Sequence, residues 1–338
     1  MFSKIRNGIF AAIGMLVLIL DSKTAIQGGL DGLHVCIMIV IPSLLPFFVV
    51  SIMLTSAISG LRMPFLAPLG RLCRMPVGSE QLLLLGLLGG YPTGAQAVYQ
   101  AYKSGHLRRS DAKRLLGFCS NAGPSFLFGI AAASFNRPWM PWALWVIHIL
   151  SAIFTGMLLP GRSFQCTTSR TTAAITLPQA VEQSVKIMAK VCAWILLFRV
   201  ILAFCDRWFL WAFDLEVQTL FVGLLELANG CLQLKQIPNE GLRFLVCSCM
   251  LSLGGLSVAM QTRCVTDELG FGMYIPGKLM QTLVSFLLAY PVQSILCGAE
   301  GCKFSPVIFS AAAIILAVFL LFLHKNKNYS RNSEKVIV

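Results

Sequence analysis

LLLLGLLGGYPTGAQAVYQAYK, residues 82–103, is the stretch whose reading decides the fold. Its first arm is apolar up to Gly89, its middle holds Gly89, Gly90, Pro92 and Gly94, and its second arm turns polar at Gln96, Gln100 and Lys103. A helix needs about 20 mostly apolar residues to cross a bilayer, so neither arm crosses alone. Glycine lowers helix stability by about 1 kcal/mol and proline removes a backbone donor, which makes continuous helix through 89–94 unfavourable. The segment either crosses once as a broken helix or enters and returns as a hairpin.

The pattern recurs. VQTLFVGLLELANGCLQLK, residues 217–235, again has an apolar arm, a polar Gly-containing break (ELANG, 226–230) and an arm that ends polar at Gln233 and Lys235. Each copy is followed by a Ser-x-x-Gly-x-Ser box, SNAGPS at 120–125 and SLGGLS at 252–257. Duplicated halves whose apolar segments break at mid-depth are a common way for membrane transporters to build a substrate site.

With 57% hydrophobic and 12% charged residues in a chain of 338, and a mean hydropathy of +0.76, the composition is that of an all-α polytopic membrane protein. Eight stretches read as full spans: 7–27, 32–59, 114–134, 139–160, 190–213, 242–261, 274–297 and 304–324. The first follows Lys4 and Arg6 and reads as a retained anchor, since Asp21-Ser22-Lys23 is a poor signal cleavage site. Pro42 and Pro46 are expected to kink the second.

The net charge of +13 would suit nucleic acid, but the basic residues cluster in short loops between apolar runs and no DNA- or RNA-reading motif is present. No nucleic-acid partner is expected. The twelve cysteines are scattered, with Cys36, Cys119, Cys192 and Cys247 inside apolar stretches and no CxxC pair, and read as packing residues. Cys297 and Cys302 flank a short loop and could pair if it faces an oxidising space. The absence of HExxH, GxSxG and nucleotide-loop motifs argues against an enzyme.

Charge distribution chooses between the readings of 82–103. A single crossing would put Arg62, Arg71 and Arg74 on one face and Lys103, Arg108, Arg109, Lys113 and Arg114 on the other, against the positive-inside bias. Reading 82–103 and 217–235 as re-entrant hairpins places the N-terminus, 61–79, 102–114, 161–190, 262–278 and the tail from Lys325 together in the cytoplasm, with 20 of the 27 Lys and Arg. The expected protein is one integral domain over 1–338 with both termini cytoplasmic. A first repeat spans 30–160 (hairpin 82–103, broken helix 114–134) and an inverted second repeat spans 191–297 (hairpin 217–235, broken helix 242–261). Residues 161–190 form a cytoplasmic linker and amphipathic helix, with Val181, Val185 and Met188 on one face, and 325–338 form a basic tail suited to anionic lipid.

Backbone groups freed at membrane depth must meet protein, water or ligand. The half-helix starting near Ala95 would offer N–H groups to an anion or carbonyl, with Tyr91, Thr93 and Gln96 beside it; alternatively the turn only packs the hairpin. Glu226 is costly in a bilayer and reads as functional, by binding a cation, relaying a proton or accepting hydrogen bonds from a solute. Its structural alternative is a pair with Arg199 or Asn229. Gly123 and Gly255 allow close backbone approach, and Ser120, Asn121, Ser125, Ser252 and Ser257 offer hydrogen bonds to a solute or between helices. Gln261 is a gate residue or a cap. The candidate substrate set is Gly90, Tyr91, Thr93, Gly94, Gln96, Asn121, Gly123, Ser125, Glu226, Asn229, Gly255, Ser257 and Gln261. Arg199 is expected to pair with Asp206 or Glu226, His148 to be core, and Trp139, Trp142, Trp145, Trp208 and Trp211 to form an interfacial belt.

At GGYPTGA, CSNAGPSF and LGGLS the sequence resembles the nucleoside-recognition, or Gate-domain, membrane proteins, and most closely the sporulation integral membrane proteins of the YlbJ type. The likeness covers residues 30–295. It implies a bacterial cytoplasmic membrane protein acting in spore cortex formation, with a fold like that of the concentrative nucleoside transporters. Family members that transport pair a re-entrant hairpin with a broken helix in each half. Where the family commonly carries a His after the second box, this chain has Ala259 and Met260.

The expected function is a carrier for a small polar solute in the lipid bilayer, with no cofactor beyond Na⁺ or H⁺ as coupling ion. The alternative is a non-transporting scaffold, as a homo-oligomer or with other sporulation membrane proteins.

Overall fold

The computed structural model describes residues 2–58, 61, 63–161 and 175–297. The expected span 304–324, the tail, Cys302 and residues 162–174 of the linker lie outside the described residues. In chain order the α-helices are α1 Phe2–Leu20, α2 Ser22–Val35, α3 Ile41–Ile58, α4 Ala67–Leu72, α5 Gln81–Gly89, α6 Thr93–Lys103, α7 Arg109–Cys119, α8 Pro124–Gly129, α9 Trp139–Leu158, α10 Leu177–Trp208, α11 Leu215–Leu225, α12 Leu227–Gln233, α13 Glu240–Leu253, α14 Gly255–Thr266 and α15 Tyr274–Leu296. Among the described residues there is no strand.

Among the described residues, four helical stretches are long and apolar enough to cross a membrane: Ser22–Ile58, Trp139–Leu158, Leu177–Trp208 and Glu240–Thr266. Large apolar side chains such as Phe10, Leu20 and Trp211 are more than two-thirds exposed, which suits contact with lipid rather than water. The chain is an integral membrane protein.

Several boundaries differ from those read in the sequence. The span expected at 7–27 is divided at Asp21, whose carboxylate accepts from the Thr24 amide (3.3 Å) and hydroxyl (2.8 Å) and so starts a new helix. From there the helix runs on to Ile58 through a π-turn at Cys36–Val40, where the Ile41 amide bonds to Cys36 O. Pro42 has no N–H to give, so the hydrogen-bond register shifts by one residue just before it.

The linker helix and the span expected at 190–213 are one helix, α10, begun by a capping box between Thr176 and Gln179. It buries Ala180, Ser184, Met188, Val191, Ile195, Phe198 and Leu202 at helical spacing. Of the apolar face read from sequence, Met188 is buried, while Val181 and Val185 are exposed. The stripe is displaced by one residue because α10 lies along α2 and α3, where glycines let it close in. A methyl on Gly28 would lie 2.8 Å from Ala203 Cβ, and one on Gly32 3.1 Å from Leu196 Cα. Residues 114–134 form no span-length helix. They break at 120–123 and again near Ile130.

The chain folds back at both interrupted segments. A methyl on Gly94 would lie 2.7 Å from Gly86 Cα, and one on Gly230 would lie 2.8 Å from Gly223 N; along a continuous helix these positions would be separated by about 10–12 Å of rise. Thus α5 lies against α6, and α11 against α12. Both ends of the first pair lie at one end of the molecule: Arg114, shortly after α6, bonds Cys73 O and Arg74 O before α5. Arg114 also holds Leu159 O at the C-terminus of α9. The start of α9 is tied instead to α13, through the Arg137–Glu240 ion pair (3.1 Å) and the bond from Arg243 to Ser134 O (2.6 Å). The twenty residues of α9, about 30 Å of helix, therefore separate the open end of one hairpin from the loops that follow the other.

Candidate functional site

The two hairpin tips and the two broken helices meet in the middle of the fold. Gly90, at the first tip, packs on the Gly123 backbone; a methyl on it would lie 2.9 Å from Gly123 N. Gly255, at the start of α14, likewise packs on the end of α11, where a methyl would lie 2.7 Å from Gly223 O. Gly90, Gly254 and Gly255 have φ of 69°, 82° and 73°, a region that glycine enters without steric cost. The turn after α5 touches α13 through Tyr91, whose hydroxyl donates to Leu251 O at 3.2 Å just before the break at Gly254.

A narrow pocket lies at this junction, about 40 Å³ in volume. Its polar lining comes from Gly90, Tyr91, Gly123, Ser125, Glu226 and Gln261, and Phe48, Phe126, Ile195 and Val258 are among its apolar walls. All four polar side chains are buried. The lining carries one carboxylate and no cationic side chain, so it favours a ligand that brings hydrogen-bond donors or positive charge.

Glu226 has two tasks. It is the N-cap of α12, its Oε2 accepting from the amide (2.6 Å) and side chain (2.9 Å) of Asn229, and it lines the pocket. Asn229 is thereby a support for Glu226 rather than a pocket residue. Ser257 stands behind Gln261, whose amide donates to it at 3.3 Å. Asn121 is engaged internally: its amide donates to Phe118 O (2.7 Å) and its Oδ1 accepts from Gln281 (2.9 Å).

The remaining candidates lie away from the pocket. Gly94 is buried between α5 and Cys119 O, a pure packing position. Thr93 packs on Gly89, and Gln96 is exposed on α6. The half-helix expected near Ala95 starts two residues earlier, and the Gly94 amide is taken by Gly90 O at 3.0 Å. Gly255 contributes close packing rather than lining.

Three charged groups are placed differently from their sequence reading. Arg199 pairs with Asp31 on α2 at 3.5 Å, a partner no local spacing indicated. Arg114, counted as a loop residue, is buried and also bonds Gly156 O (2.6 Å). Lys278, counted with the cytoplasmic loop 262–278, is 1% exposed. Its ammonium bonds Ser120 O, Gln281 Oε1 (2.8 Å) and Tyr91 OH (3.4 Å). The one available signal was its position five residues into an apolar helix. His148 is core, as its sequence setting implied, and its Nε2 accepts from the Ala122 amide (3.1 Å) inside the first break. Of the expected belt, Trp142, Trp208 and Trp211 are exposed, whereas Trp139 packs on Phe244 and Trp145 on Phe128.

Over 141 residues the sequence is 28% identical to the sporulation integral membrane protein YlbJ of Bacillus subtilis (strain 168), which covers 39% of this chain and 34% of YlbJ. The chain is similar to a sporulation membrane protein. The match spans about a third of that relative's length. No protein-family model matches the chain, and no solved structure matches it.

Proposed function

We propose that this chain is a carrier-like protein of the bacterial cytoplasmic membrane that acts in sporulation. It binds a small polar solute between two inverted halves of Gate-domain type, each a re-entrant hairpin plus a broken helix, with both termini cytoplasmic. The observation that carries this reading is that Tyr91 and Glu226, from opposite hairpin tips, line one pocket with Ser125 and Gln261 from the two broken helices. Two turns, each packed against a helical break, could move so that a site shared by both halves is exposed to one side at a time. Glu226 sets the selectivity, because a buried carboxylate is best compensated by a solute with amino, amide or hydroxyl donors. The similarity to YlbJ supports the sporulation role.

The test is a solute screen on purified full-length protein, read by thermal stability, since a ligand specific for the native state raises Tm. A stabilising solute whose effect is lost in Glu226→Gln supports the proposal. A solute that stabilises the wild type and Glu226→Gln equally places the site elsewhere and refutes it.

A further inference from the structure

Lys278 does not line the solute pocket, although a buried lysine in a membrane protein is expensive to keep. It reaches from the first turns of α15 into the break between α7 and α8, and its three acceptors are all oxygens of uncharged groups: a main-chain carbonyl, an amide and a phenol. Ser120 O is free to accept because α7 ends at Cys119 and the next helix begins at Pro124. Gln281 is oriented by its own bond to Asn121, which leaves its oxygen for the ammonium. Ser120 Oγ is also buried there without a hydrogen-bond partner. The rings of Tyr91 and Tyr274 lie 5.3 Å and 6.0 Å from Nζ, and add the electrostatic attraction that aromatic faces offer a cation.

Freed carbonyls and neutral side-chain oxygens at a broken membrane helix are the donor set that holds a monovalent metal ion. Here that set surrounds an alkylammonium. We infer that Lys278 is a built-in cation: its ammonium occupies a monovalent-cation site at the first break, holding hairpin tip, break and α15 together without Na⁺. Truncating the side chain leaves the oxygens and the space, so the variant should take up Na⁺ or a small alkylammonium from solution. The inference goes beyond the solute-site reading, and its readout is ion binding, so either can fail alone.

Full-length wild type, Lys278→Ala and Lys278→Gln are purified, and Tm is followed as NaCl or methylammonium chloride replaces choline chloride at constant ionic strength. The wild type is expected to respond equally to all three salts. Lys278→Ala should melt lower in choline and recover by roughly 5 °C, saturably, with Na⁺ or methylammonium. Lys103→Ala, which removes an exposed lysine, should show no such recovery. A saturable Na⁺ shift no larger in Lys278→Ala than in the wild type overturns the inference, as does the absence of a cation-specific shift in both Lys278 variants. If the variants accumulate only when Na⁺ or methylammonium is present, the inference is supported; if they accumulate with no cation, it is overturned.

Discussion

Replacing Gly94 by Ala tests the hairpin by the sign of its effect. In an open helix position Gly→Ala stabilises by about 1 kcal/mol, and Gly29, where a methyl meets nothing within 4 Å, should behave so. At Gly94 the methyl would stand 2.7 Å from Gly86 Cα and also overlap Cys119 O, so it is trapped between main-chain atoms of two other helices. Neither neighbour is a flexible side chain, and relief requires moving α5 or α7. Overpacking of this kind costs about 1–3 kcal/mol, and two simultaneous backbone overlaps argue for the upper end. Subtracting the propensity gain leaves a loss of about 2 kcal/mol, equivalent to a Tm lower by about 3 °C for an unfolding entropy of about 0.7 kcal/mol/K at this size. Gly29→Ala should raise Tm by about 1–2 °C. Both are measured by thermal unfolding of detergent-solubilised protein. If residues 82–103 were a single broken crossing, Gly86 and Gly94 would be far apart and Gly94→Ala would be harmless. An unchanged or raised Tm at Gly94→Ala therefore refutes the fold-back.

Other expectations follow from single contacts. Glu226→Gln keeps an oxygen to cap α12 and should cost no more than about 1 kcal/mol in stability, whereas Glu226→Ala leaves both Asn229 donors unpaired and should cost about 2–4 kcal/mol; equal melting of the two would show that the cap is unimportant. Arg114→Lys cannot reproduce a guanidinium that bonds carbonyls of Cys73, Arg74, Gly156 and Leu159, so it should lower stability by about 2–4 kcal/mol, while Arg109→Lys, next to an exposed contact, should be near neutral. Tyr91→Phe removes both the bond to Leu251 O on α13 and one acceptor of the Lys278 ammonium and should cost about 1–2 kcal/mol, read as a Tm lower by about 2–3 °C; no change would mean that stability does not depend on that hydroxyl.

Much of this architecture was open to inspection in the residues. Gly90, Gly123 and Gly254 stand where helices stop, because each occupies a close backbone approach or a positive φ that side chains resist. Glu226 was conspicuous as a carboxylate in an apolar run, and it does line the pocket. Less visible was how polar groups satisfy one another. Asn121 and Asn229 look like ligands in a motif, yet their hydrogen bonds are consumed by Gln281, Phe118 and Glu226. Lys278 was hidden for the opposite reason: near a helix end it resembles a loop cation, and only the carbonyl opened 158 residues earlier in the chain accounts for its burial.

Hydropathy, charge clustering and the repeated Gly-rich breaks determined from sequence alone that this is an all-helical membrane protein with two interrupted segments. Those properties are local: they depend on transfer energies and backbone preferences of residues within one turn or one span. Partners were decided only by the tertiary structure, including Asp31 for Arg199, Gly86 for Gly94 and the Ser120 carbonyl for Lys278. Each such pairing joins groups that are distant in sequence or face to face across a turn. In a dry interior a polar group takes whichever acceptor the packing brings within about 3 Å, and no spacing in the chain encodes which one that is.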